Sequence, residues 1–322
     1  MIPKLCICLF LLSVLGGCAR DGSPRTSQST GPRTLAEIET AVAAGQYAES
    51  IAPLEALAQR DPGDARVQYY LGLCLAHQND LEKAEFHYRA ALDIDEHLAE
   101  ARSNLGLLMI ERGKLDEAME ALTVYIQANP DDGSGYYNLG FALEAKGDLA
   151  AAKKNYKKAS ELAPQDPQPY RALGDVARLQ GRIDEALTLY RRALTHAPGD
   201  PELILVLAEA LIAAKRIDDA VSNLMVLGKS EAAEAPTLAT AAVLLSGVKK
   251  YEKATSLLQV CTNRFPDYAN GFFLLGTAYA RGKQWTEAIA QFEKFLTLEP
   301  HGDKAEVARR HLDVCRSKVK TR

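Results

Sequence analysis

The chain has 322 residues, 47% of them hydrophobic and 25% charged, with a formal net charge of −4. That balance suits a core-forming soluble protein and offers no global positive field, which argues against nucleic acid as a partner. Aromatic residues are only 7%, Leu and Ala abound, and long Val/Ile/Thr runs are absent, so helix is favoured over sheet.

The chain opens MIPK, then an apolar run LCICLFLLSVL, then GGC. One positive charge, a short apolar core and small residues make a secretory signal, and the run is too short to span a bilayer as a mature helix. Leu15-Gly16-Gly17-Cys18 resembles the bacterial lipobox. That resemblance implies a signal peptide over 1–17, cleavage before Cys18, and a lipid on the Cys18 thiol. Ala19 follows rather than Asp, which by the same resemblance implies sorting to the outer membrane, with the folded part facing the periplasm. Residues 18–33, rich in Ser, Thr, Gly and Pro, read as a tether. Such a segment reaches at most ~50 Å extended and spans about 21 Å as a coil.

From residue 31 the sequence repeats itself. Pro62, Pro130, Pro164, Pro198, Pro266 and Pro300 fall on one 34-residue grid, with Glu96 and Ala232 at its two other points. Within each unit, apolar residues recur at helical spacing in two blocks separated by a break such as RGKLDE or KGDLAA. Leu71, Leu105, Leu139, Leu173 and Leu275 each precede a glycine, and Ala84, Ala118, Ala152, Ala186, Ala220, Ala254 and Ala288 recur in the second block. This pattern is identified as that of the tetratricopeptide repeat family. The resemblance implies an all-α, right-handed solenoid of helix hairpins: a divergent unit at 31–64, then seven at 65–98, 99–132, 133–166, 167–200, 201–234, 235–268 and 269–302. Residues 303–322 form a helix whose Val307, Leu312 and Val319 are expected to cap the last unit.

Two expectations concern packing. A glycine inside a helix costs ~1 kcal/mol relative to Ala, so Gly72, Gly106, Gly140, Gly174 and Gly276 imply close backbone approach of the partner helix. Tyr88, Tyr156, Tyr190 and Phe292 are expected to fill the layer between adjacent repeats. The units at 201–234 and 235–268 depart from the pattern: Ala208 and Ala242 replace the glycine, Lys215 and Lys249 the turn glycine, and Gly228 interrupts a helix. A softer joint at 228–236 and simple drift both account for these departures.

Catalytic signatures are missing. Gly228-Lys229-Ser230 looks like the end of a phosphate loop, but Asn223 stands where the first glycine belongs and a helix precedes it. The six histidines are dispersed, and the cysteines at 74, 261 and 315 form no CxxC pair. The expectation is therefore no enzyme activity, no metal, no cofactor and no small-molecule substrate.

In the family, first helices line a concave groove at positions 2, 5, 6, 9, 12 and 13 of each repeat. Carried onto this sequence, those positions include Tyr69, Leu73, His77, Asn104, Leu107, Tyr137, Asn138, Phe141, Arg171, Asp175 and Arg178. An aromatic strip flanked by amides and charges suits an extended peptide or amphipathic helix, so the expected partners are envelope proteins. The carboxylate clamp of some members, Lys at position 5 with Asn at position 9, is absent here. The architecture resembles repeat lipoproteins that assist type IV or Tad pilus and secretin assembly. An adaptor for peptidoglycan or division enzymes, or a non-catalytic subunit of an envelope enzyme or polysaccharide-export complex, shares the same signature.

Overall fold

The computed structural model describes residues 34–320. The expected signal peptide over 1–17, Cys18 and the whole expected tether over 18–33 lie outside the described residues. Among those described, seventeen helices occur and no strand. They pair as α1 (Leu35–Ala43) with α2 (Tyr47–Arg60), α3 (Ala65–His77) with α4 (Leu81–Ile94), α5 (Ala99–Glu111) with α6 (Leu115–Ala128), and α7 (Gly133–Lys146) with α8 (Leu149–Leu162). The series continues with α9 (Pro167–Leu179) and α10 (Ile183–His196), α11 (Pro201–Ala213) and α12 (Ile217–Leu227), α13 (Ala235–Gly247) and α14 (Tyr251–Arg264), α15 (Ala269–Arg281) and α16 (Trp285–Leu298). A final helix, α17 (Asp303–Lys320), closes the stack.

Local chemistry starts and stops these helices. Asp166 and Asp200 accept the backbone N–H groups of Gln168 and of Glu202 and Leu203, with Pro167 and Pro201 in the first helical position. Each such cap contributes about 1 kcal/mol. The hairpin turns also obey the 34-residue grid. Gly45, Asn79, Gly113, Gly147, Gly181, Lys215, Lys249 and Lys283 all take positive φ, from 59° to 91°. Glycine adopts that conformation without strain, whereas the three lysines hold it at a cost.

Helices of 13 or 14 residues are marginal alone in water, so packing holds them. All seven grid alanines, from Ala84 to Ala288, are fully buried. The helical glycines make room for side chains as well as for the partner helix. A Cβ on Gly72, Gly140 or Gly174 would sit 2.5 to 2.7 Å from the ring of Tyr88, Tyr156 or Tyr190 on the second helix of the same repeat. Gly276 faces Phe292 in the same way. These glycines therefore seat a ring within the hairpin, and at Gly140 the Ala152 carbonyl also lies 3.3 Å from an added Cβ. Tyr156 and Tyr190 reach the next repeat too, clustering with Ala172, Leu173 and Val176 and with Ile204 and Leu207.

Neighbouring first helices pack together at α1–α3, α3–α5, α5–α7, α11–α13 and α13–α15, whereas second helices do so only at α12–α14. The more closely packed layer lies on the inside of a curved stack, so first helices line the concave face. Core packing runs without a break from Ala177 to Ala278 and so passes straight through the 228–236 segment. There the Arg264 guanidinium donates to the carbonyls of Ser230 at 2.8 Å, Glu231 at 3.0 Å and Ala233 at 3.2 Å. Gly228-Lys229-Ser230 is the end of α12 and its turn, with Lys229 and Ser230 donating back to Val226 and Leu227. At the C-terminus, α17 caps the stack through Ala305, Ala308, Leu312 and Cys315. Val307 is only half-buried and Val319 faces solvent, so Leu312 alone of the three expected residues forms the cap's buried face.

Candidate functional site

The concave face has one distinctive place. α9 approaches neither α7 nor α11 as closely as the other first helices approach their neighbours. Tyr137, Phe141 and Glu144 on α7 meet Arg171, Asp175 and Arg178 on α9, whereas α13 offers Ala239 and Ser246 in the places of Arg171 and Arg178. The result is a slot lined by large, half-buried side chains.

Each wall is braced from behind by a phenol. The Tyr156 hydroxyl donates to Glu144 Oε2 at 2.7 Å, and that of Tyr190 donates to Asp175 Oδ1 at 2.7 Å. Both tyrosines start on second helices and reach the concave side past Gly140 and Gly174. The Tyr137 ring lies 5.5 Å from that of Tyr156, which orients it. Arg171 is held by Glu202 at 2.8 Å, and Arg178 lies 3.8 Å from Asp175. Burial raises the Glu144 carboxyl above the ordinary range; the Tyr156 hydrogen bond opposes this and the Asp175 charge reinforces it. The Tyr137 hydroxyl is pushed up to about 12, chiefly by burial.

Several polar groups in the slot lack partners. Arg178 Nε is buried with no hydrogen-bond acceptor. Among the described residues, neither the Tyr137 hydroxyl nor the Asn138 amide makes a side-chain hydrogen bond, while Glu144 and Asp175 each keep an oxygen that no tyrosine occupies. Donors and acceptors therefore alternate beside two aromatic rings. That mixture can serve the C=O and N–H groups of an extended peptide, and Arg178 Nε is the buried donor whose unmade hydrogen bond is costly enough to favour filling it.

The other expected groove residues divide. Tyr69 and Leu73 are 5% and 0% exposed and belong to the core, because the opening repeat packs Ile38 and Val42 into the same cluster. His77 stacks on Tyr47 at 3.6 Å between ring centroids. Asn104 donates to the Tyr69 hydroxyl at 3.4 Å, so its amide is already engaged; Leu107 stays half-buried. Glu144, Tyr156 and Tyr190 were absent from the expected set. Glu144 occupies position 12 of its repeat, one of the groove positions, and a tyrosine twelve residues later is the signal that pairs with it. Among the described residues, no cluster of three or more His, Cys, Asp or Glu could hold a metal, and no helix is long and apolar enough to cross a membrane.

Family models described as tetratricopeptide repeat match residues 35–99, 78–140, 131–198, 177–242 and 271–301. The chain belongs to the tetratricopeptide repeat family. Its fold is similar to that of yeast Tom70, with a TM-score of 0.62 and 19% identity over 88% of this chain and 60% of that one. A tetratricopeptide repeat protein from Parabacteroides merdae gives 0.55 and 15% over 88% and 97% of the two chains. PilF of Pseudomonas aeruginosa gives 0.54 and 20% over 60% and 87%. The chain thus spans about three-fifths of Tom70, and at these identities the likeness is one of fold. No curated protein sequence matches the chain.

Proposed function

We propose that this protein is a non-enzymatic scaffold that holds an extended segment of a partner in the slot between α7 and α9. One observation carries the reading. Unpartnered donors on Tyr137, Asn138 and Arg178 stand beside carboxylates with spare oxygens, within a fold family that supports protein–protein interaction. Tyr137 and Phe141 supply contact area at small conformational cost, and the polar groups bond the partner's backbone.

The lipobox-like Leu15-Gly16-Gly17-Cys18 supports a scaffold anchored by lipid on Cys18, at the outer membrane and facing the periplasm. Assistance to pilus or secretin assembly is the process that the resemblance to repeat lipoproteins suggests. The test is affinity purification from detergent-solubilised envelopes, comparing wild type with the Tyr137→Ala/Phe141→Ala variant. Pilus or secretin proteins recovered with wild type and lost from a folded variant are the expected result. An unchanged partner set would remove the slot from the account, and wall enzymes in place of pilus proteins would reassign the process.

A further inference from the structure

Charge is unevenly distributed along this chain. Residues 34–302 carry 27 Lys and Arg against 38 Asp and Glu, a net charge of −11. Within that acidic solenoid, second helix α8 runs the other way, with four Lys against one Glu, and its neighbour α10 is neutral. α8 and α10 together hold Lys153, Lys154, Lys157, Lys158, Arg191 and Arg192 against Glu161, Asp184 and Glu185. Among the second helices, α8 alone has no acid in its first turn, where the helix dipole favours one.

The basic side chains fall in register. Lys157 and Arg191 are 34 residues apart, as are Lys158 and Arg192, so each pair occupies the same place on neighbouring helices. Lys154, Lys158 and Arg191 have no acidic partner among the described residues, while Lys157 reaches Glu161 only at 3.9 Å and Lys153 is paired to Glu185. Arg192 lies over the Tyr170 ring at 4.3 Å, which fixes its stem and leaves the residue exposed. The row through Lys158 and Arg192 continues at both ends into apolar residues, Val124 at 37% and Val226 at 50% exposed.

We infer that this patch on the convex face docks the solenoid on an anionic lipid surface. Shape and charge agree. A flat bilayer touches a convex stack along only one or two repeats, and these basic residues sit on the second helices of two consecutive repeats. Within residues 34–302 the acidic remainder is repelled by anionic headgroups, so the patch would orient the solenoid as well as attach it. The slot between α7 and α9 then faces away from the membrane. The inference needs neither the slot's ligand nor the lipid on Cys18.

The test uses the full chain carrying Cys18→Ser, so that no lipid anchor forms and the N-terminal segment is the same in every arm. Co-sedimentation is measured with phosphatidylcholine vesicles with and without phosphatidylglycerol. The comparison variant adds Lys154→Gln, Lys158→Gln and Arg191→Gln, three exposed changes, with helicity checked by circular dichroism. The expected result is a preference for anionic vesicles that falls about fivefold per residue removed. It should also collapse between ~0.1 M and ~1 M salt. An anionic preference unchanged in the triple variant would overturn the inference. So would capture on immobilised poly-glutamate that the triple variant loses while no vesicle is preferred, since that assigns the patch to an acidic protein.

Discussion

In the repeats at 133–166 and 167–200, a glycine of the first helix faces a tyrosine sixteen residues later, Gly140 with Tyr156 and Gly174 with Tyr190. In the repeats at 201–234 and 235–268, the same places hold Ala208 with Leu224 and Ala242 with Leu258, all buried. The two solutions trade volume across the hairpin: a ring needs the space of a missing methyl, and a leucine does not. Gly106 with Leu122 is the mixed case. The departures at Ala208 and Ala242 are therefore compensated changes in packing. They also have a chemical consequence. A tyrosine carries its hydroxyl through to the concave face and braces a carboxylate there, whereas a leucine stops short. On α7 and α9 the tyrosines brace Glu144 and Asp175; the repeat at 65–98 also seats a tyrosine on a glycine, but Ala76 and Leu73 stand in the places of those acids and no carboxylate is braced there.

The largest effect should come from emptying that seat. Tyr190→Ala should cost about 3–5 kcal/mol in urea unfolding, since it removes a fully buried ring and leaves a cavity. Gly174→Ala should cost about 1–3 kcal/mol, because its Cβ would lie 2.5 Å from the Tyr190 ring. The double change Gly174→Ala/Tyr190→Leu copies the neighbouring repeat and should be less damaging than the sum of its parts. If the two changes simply add, volume exchange does not explain the alternation.

Smaller gains should come from the turns. Lys215→Gly should raise stability by about 1 kcal/mol, because φ there is 60° and a lysine is strained in that region. Calorimetric melting would measure this, and a lowered transition would show that the Lys215 side chain contributes more than its backbone costs. The smallest effect is one of pH. Burial holds the Glu144 proton more tightly in the folded state than in the unfolded chain, so its contribution favours folding at low pH. That contribution is fully present below the ordinary glutamate value near 4.3 and is lost as pH rises through the raised folded value. Glu144→Gln should therefore flatten the stability profile just above the carboxylate range. A profile identical to wild type would mean that Glu144 is as well solvated folded as unfolded.

Much of this architecture is legible in the sequence because the repeat forces the same local problem to be solved eight times. The proline grid, the Asp-Pro caps at Asp166 and Asp200, and the alanines from Ala84 to Ala288 each have one physical reading. The groove was legible only as a direction. Position within a repeat says that Tyr69 and Leu73 point inward, but it does not say that Ile38 and Val42 of the divergent opening unit cover them. The C-terminal cap shows a second limit. Val307 and Val319 are larger than the residues that join Leu312 in the buried face, yet the helix buries the phase 305, 308, 312 and 315, two alanines and a cysteine included. Size was the wrong guide, and periodicity the right one.

The core is divided as well as the surface. One block of buried side chains extends from Ile38 to Ala142, another from Ala177 to Ala278 and a third from Ala269 to Cys315, while Tyr156, Val176 and their neighbours form small clusters between the first two. In a linear stack each repeat is held only by its neighbours, so a weak link in the core is also a boundary between cooperative units. Pulled from its ends, such a molecule would behave as stiff rods joined, between the first two blocks, by a compliant coil. A partner gripping that coil would stiffen it, and so would set the angle at which one half of the molecule presents itself to the other.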